Sequence, residues 1–236
     1  MFIVNYGLNI LYLSLYCLVL SKSYDRMYTL LNHIDKNSKL SETLKLYIAK
    51  NIIKSIVLLL LTLYSPIVMY NIYQSQHWNN QLMNHIGSIY VSNDIIGFIR
   101  VKRIHLTTKI HHIMTTTILL YSFTIDFNTN IIGQLIFIYC ILSCYSFMVN
   151  FYLGIRFFKD HRIVKVYLEH LRIMALIIYV GTCAINWTAQ VYIMLNAMLN
   201  HGIMYKLFIY SSLLIPIIID DIKLIKWLSE KKNVKV

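Results

Sequence analysis

Residues 131–153 read IIGQLIFIYCILSCYSFMVNFYL, a run without a single Asp, Glu, Lys or Arg. A helix needs about 20 apolar residues to cross a ~30 Å hydrocarbon core, and this run supplies them. Its flanks differ: 125–130 carries no Lys or Arg, whereas Arg156, Lys159, Arg162, Lys165 and Arg172 follow it. The same alternation recurs outward from there. Apolar stretches at about 2–21, 53–73, 82–99, 110–124, 131–153, 173–199 and 203–222 are joined by connections that are alternately basic and free of Lys and Arg. Lys22, Arg26, Lys36, Lys39, Lys45 and Lys50 fall in 22–52, and neither residue type occurs in 74–81. Arg100, Lys102, Arg103 and Lys109 precede or enter the fourth stretch, 200–202 has none, and Lys223, Lys226, Lys231, Lys232 and Lys235 end the chain. Basic loops are retained in the cytosol, which places the N-terminus outside and the C-terminus in the cytosol. The sequence predicts an all-α polytopic membrane protein of about seven transmembrane helices. Residues 1–44 are expected to form a leading helix and basic loop, 45–225 a six-helix membrane domain, and 226–236 a basic cytosolic tail.

Composition agrees. Of 236 residues, 58% are hydrophobic and the mean hydropathy is +0.58, which leaves room for one domain with short loops. The net charge of +12 is spread over loops on one predicted side, where topology and anionic lipid account for it better than nucleic acid does. Cys17, Cys140, Cys144 and Cys183 all lie in predicted spans without a CxxC pair, so packing is expected rather than a disulfide or a zinc site. The first stretch lacks a basic leader and is followed by Lys22 and Arg26, which reads as an uncleaved anchor.

The third stretch is the most polar, with Asn84, His85, Ser88, Ser92, Asn93 and Asp94. Such a helix cannot face lipid on all sides and is expected to line a cavity or lie among other helices. Asp94 suits a proton acceptor or an anchor for a cationic or hydroxylated headgroup; a structural pair with His or Arg is the alternative. His105, His111 and His112 flank the cytosolic entrance of the fourth stretch. On one continuous helix His105, Lys109 and His112 share a face, with His111 offset by ~100°. Imidazoles that titrate near pH 6.5 suit proton transfer during acylation of an amine or hydroxyl, and interfacial polar residues are the plainer reading. The spacing His105-x5-His111-His112 lacks the i,i+3 or i,i+4 pairs of a helical metal site, so no metal is expected. Asp220-Asp221 read as an edge charge cluster beside Lys223 and Lys226.

Tyr90-Val91-Ser92-Asn93-Asp94-Ile95-Ile96, then His105, then Lys109-Ile110-His111-His112-Ile113-Met114-Thr115-Thr116, resembles the TLC domain over about 85–155. That family includes translocating-chain-associated membrane proteins and the longevity-assurance ceramide synthases. The resemblance implies a multi-pass protein of the endoplasmic reticulum or another internal membrane that acts on or senses membrane lipids. For a ceramide synthase it implies transfer of an acyl group from long-chain acyl-CoA to a sphingoid base, with no cofactor. By this likeness His111 or His112 is the general base with Asp94 as its acid, and His105, Arg100, Lys102 and Arg103 bind substrate, the basic side chains attracting CoA phosphates. One departure bears on activity: Tyr139, Cys140 and Ser143 stand where ceramide synthases carry His, Asp and Asp. Losing both carboxylates from an acid–base network lowers the rate by orders of magnitude unless they are replaced. A non-enzymatic lipid-handling or translocon-associated factor is therefore a rival expectation. A small-solute transporter is a weaker one, because no internal repeat is evident.

Overall fold

The computed structural model describes residues 2–35, 40–101, 105–158, 162–201 and 204–230. Among them the chain is all-helical: α1 Phe2–Ile34, α2 Glu42–Ser75, α3 Asn80–Arg100, α4 Leu106–Ser122, α5 Ile131–Ser143, α6 Phe147–Ile155, α7 Arg162–His201 and α8 Met204–Ser229. A 3-10 turn, Cys144–Ser146, joins α5 to α6, and the two form one rod, Ile131–Phe158. Among the described residues three helices are long and apolar enough to cross a membrane: Glu42–Ser75, Ile131–Phe158 and Val166–Leu199.

Polar residues at the breaks define where helices start. Ser41, Asn79, His105 and Asn130 each accept a backbone N–H from the first turn that follows, supplying an acceptor to donors with no intrahelical partner. Pro66 sits inside α2 without ending it. Its ring removes the N–H that Thr62 O would receive, and the Ser65 hydroxyl donates to that carbonyl instead at 2.9 Å. The connection expected at 22–52 is shorter than its charge suggested, because α1 continues to Ile34 and α2 already begins at Glu42. The reason is that its charges find partners within the fold. Lys45 donates to Asn32 Oδ1 and pairs with Asp35, both at 3.0 Å, and Asp25 pairs with Arg100 of α3.

The rods close a ring. In the order α2, α3, α4, α8, α7 and the α5–α6 rod, each packs on the next, and α6 returns to α2. The α6–α2 seam is tight at Gly154, where a Cβ would meet Ile52 Cγ1 at 2.8 Å. Helix α1 lies outside the ring against α3 and α2. Apolar residues turn outward, among them Leu60, Leu63 and Ile67 of α2 and Ile177, Ile185 and Tyr192 of α7. Polar ones turn inward: Asn84, Ser88, Ser92, Asn93 and Asp94 of α3 are all buried. This inside-out distribution is what a helix bundle in an apolar solvent requires.

The two ends of the ring differ. At one end the C-termini of α1, α3, α6 and α8 meet the N-termini of α2 and α4, tied by contacts such as Tyr47–Phe157 and Arg156–Trp227. At the other, Asp126 receives hydrogen bonds from Asn80 Nδ2 (2.8 Å), Asn128 Nδ2 (3.0 Å) and Asn128 N (3.1 Å). These bonds, Asn80's first, hold its carboxyl below the usual carboxylate range.

Candidate active site in the ring

A cavity of about 440 Å³ occupies the end of the ring that carries His105, Arg156 and Lys223. Helix α2 lines it with Lys50 and Lys54, one turn apart on one face. Helix α4 contributes Thr108, His111 and His112; α5 contributes Tyr139, α7 Tyr179, and α8 Asp220 and Asp221. With Tyr90 of α3, six helices thus deliver ionisable or hydroxyl groups to one space.

Two carboxylate centres organise these groups. The first is Asp94, fully buried behind the cavity wall. Lys54 donates to its Oδ1, His112 Nδ1 lies 3.3 Å from the same oxygen, and the Thr115 hydroxyl donates to Oδ2 at 3.5 Å. Lys50 extends the chain, its ammonium 3.5 Å from His112 Nε2. The Lys50 stem reaches that point by lying on Gly97, where a Cβ would meet its Cε at 2.9 Å. A methyl group here would push the lysine stem aside.

The second centre belongs to α8. Asp220 Oδ2 lies 3.5 Å from His111 Nδ1, and its Oδ1 accepts from the Thr108 hydroxyl at 3.3 Å. Asp221 is buried and accepts from two phenols, Tyr139 (2.9 Å) and Tyr179 (2.8 Å). Hydrogen bonds to a charged acceptor contribute roughly 1.5–3 kcal/mol each, which fixes Asp221 in place. The His111 and His112 rings meet edge to face with centroids 5.6 Å apart, so the two centres adjoin.

Of the residues singled out from sequence, Asp94, His111 and His112 come together, with one ligand-type atom of each within 4.8 Å of the others. That grouping has the donors of a metal site, yet Lys54 occupies Asp94 and Lys50 occupies His112. A divalent ion would need to displace two ammonium groups. His105 is not on the helical face with His112: it caps α4, its Nδ1 2.9 Å from Thr107 Oγ1, and borders the cavity mouth. Arg100 lies elsewhere, donating to Asp25 and Ser21 on α1, outside the ring. Lys102 and Arg103 lie outside the described residues.

Sequence reasoning passed over Lys50, counted as a loop charge, and Lys54. A lysine inside an apolar run is itself a signal, since a buried ammonium demands a partner. Asp220 and Asp221 face the cavity rather than only marking a helix end. They bring carboxylates back to the region where Tyr139, Cys140 and Ser143 left none, and Tyr139 binds one of them. All four cysteines are free.

A smaller apolar pocket lies behind this space, lined by Met83, Val91, Ile118, Leu119, Phe137 and Ile217 among others. Tyr90 and Tyr139 border both cavities and form the wall between them. No protein-family model, curated protein or solved structure matches the chain.

Proposed function

We propose that this is a seven-span membrane protein of TLC-like architecture, with its N-terminus outside and C-terminus cytosolic, whose ring of six helices binds a lipid and transfers an acyl group to it. The observation that carries the reading is the cavity itself: polar and ionisable at the basic end, backed by an apolar pocket across Tyr90 and Tyr139. An amphiphile has that polarity. The reading is also supported by the outward apolar belts and by the accumulation of basic residues at the end where the cavity lies.

In the proposed reaction the amine of a sphingoid-type base attacks the carbonyl of a long-chain acyl-CoA. The C–N bond forms as the C–S bond breaks, His111 takes the amine proton, and the CoA thiolate leaves and is protonated from water. Asp220, 3.5 Å from His111 Nδ1, orients the imidazole and offsets the charge it gains. Asp221, held by Tyr139 and Tyr179, anchors the incoming ammonium, which gives one proton to water to become the attacking amine. His112 sits between Asp94 and Lys50 and positions the wall against which His111 rests.

A second reading, lipid handling without chemistry, draws on the position of Asp94, which is enclosed and neutralised by Lys54 and so does not act on a substrate directly. Acyl transfer from long-chain acyl-CoA to a sphingoid base, measured on purified protein in nanodiscs, decides between them. Turnover by folded wild type supports the enzyme; none across several chain lengths leaves lipid binding.

A further inference from the structure

Arg156, at the end of α6, lines the cavity and is a cation that the site chemistry does not use. Its guanidinium carbon lies 4.6 Å from the ring of Trp227, 4.7 Å from Phe157 and 5.8 Å from Tyr47. Aromatic rings on this scale of distance hold a guanidinium by its faces and leave its N–H edge available. Nε is buried and has no hydrogen-bond partner. Among the described residues no carboxylate forms an ion pair with Arg156. The carboxylates of the cavity are already committed, Asp220 to His111 and Thr108 and Asp221 to two tyrosines. Arg156 lines the cavity together with Lys223, an exposed lysine of α8 that also lacks an ion pair among the described residues.

We propose that Arg156 and Lys223 form a phosphate-ester site at the mouth of the cavity. An arginine fixed by its faces presents a planar fork of N–H groups, which matches two oxygens of a phosphate, and the lysine adds a second positive charge for a dianion. The proposal deepens the lipid reading and rests on it: the phosphate belongs to the polar part of the molecule whose hydrocarbon enters the ring. It also moves anion recognition away from Arg100, whose guanidinium is taken by Asp25 and Ser21. Phosphate chemistry of this kind comes either from a soluble ester such as the nucleotide part of an acyl-CoA or from an anionic phospholipid headgroup.

The test is equilibrium binding of radiolabelled palmitoyl-CoA and of palmitate to the full chain in phosphatidylcholine nanodiscs. Wild type, Arg156→Gln, Arg156→Lys and Lys223→Gln are compared. Arg156→Gln is expected to weaken palmitoyl-CoA about tenfold or more while leaving palmitate unchanged, with Arg156→Lys intermediate. Lys223→Gln, at an exposed position that does not threaten folding, weakens palmitoyl-CoA alone by a smaller factor. Competition by adenosine 3′,5′-bisphosphate identifies the soluble ester as the source, and competition by phosphatidic acid in the disc identifies the headgroup. If the bisphosphate binds in an Arg156-dependent way and neither palmitoyl species binds, the phosphate site stands and the lipid reading fails. Equal affinity of palmitoyl-CoA for wild type, Arg156→Gln and Lys223→Gln overturns the proposal, as does wild type that binds no phosphate-bearing probe.

Discussion

Two carboxylate centres lie side by side in this protein and are treated in opposite ways. Asp94 on α3 is enclosed by Lys54, His112 and Thr115, with no exposure to the cavity. Asp220 on α8, one imidazole away, lines the cavity and keeps His111 at its rim. The residue types are nearly the same. What differs is whether a counter-charge closes the group off, and that difference separates a fastener between helices from a group that faces the cavity.

The largest expected effect comes from opening the closed centre. Asp94→Asn leaves the Lys54 ammonium buried without a counter-charge and lowers stability by about 3–5 kcal/mol, read by thermal unfolding in nanodiscs. Removing both charges sharpens the contrast: Lys54→Met with Asp94→Leu is expected to recover roughly half of that loss or more, since paired apolar replacements of buried ions are often neutral. Full additivity of the two single changes breaks the view that they form one unit. His111→Ala acts on the other centre. Its melting temperature stays near that of wild type while acyl transfer falls by roughly 10²–10⁴-fold.

Smaller effects follow further out. Gly97→Ala pushes the flexible Lys50 stem from its path to His112 and costs roughly 1 kcal/mol or less, since alanine also favours the helix, with turnover falling less than in His111→Ala. At the opposite end of the ring, Asp126 tests the loop. Because the bonds from Asn80 and Asn128 depress its folded pKa, their stabilisation is fully present above the unfolded value of about 4 and is lost as pH falls through the folded value. Asp126→Asn should therefore lower the melting temperature modestly at pH 7 and flatten the acid limb below about pH 4, where variant and wild type converge.

The sequence made the helices legible because their apolar runs and polar breaks are long-range, redundant signals. Asn79 and Asn130 end connections where the charge pattern placed them. The burial of α3 was legible from its composition, since Asn84, Ser88, Asn93 and Asp94 have no favourable place against lipid. The partners of Asp94 were not. Nothing in α2 alone says that Lys50 and Lys54 face inward across 40 or more residues of chain; closure of the ring decides it. The extension of α1 to Ile34 escaped for the same reason, because Asp25 and Asn32 meet their cationic partners only after the helices pack. Asp220 and Asp221 looked like a charged helix end, which their place before Lys223 also is. Their second role depends on partners from other helices, His111 and Thr108 of α4 for Asp220 and Tyr139 and Tyr179 for Asp221.

The measurement that tests this division most directly places one conservative change in each centre, Asp94→Asn and Asp220→Asn, and records melting temperature and acyl-transfer rate for both in the same nanodiscs. The account predicts that Asp94→Asn loses stability first, with activity following the folded fraction, whereas Asp220→Asn keeps the wild-type melting temperature and loses turnover by about tenfold or more. A folded, fully active Asp220→Asn, or an Asp94→Asn as stable as wild type, would contradict it.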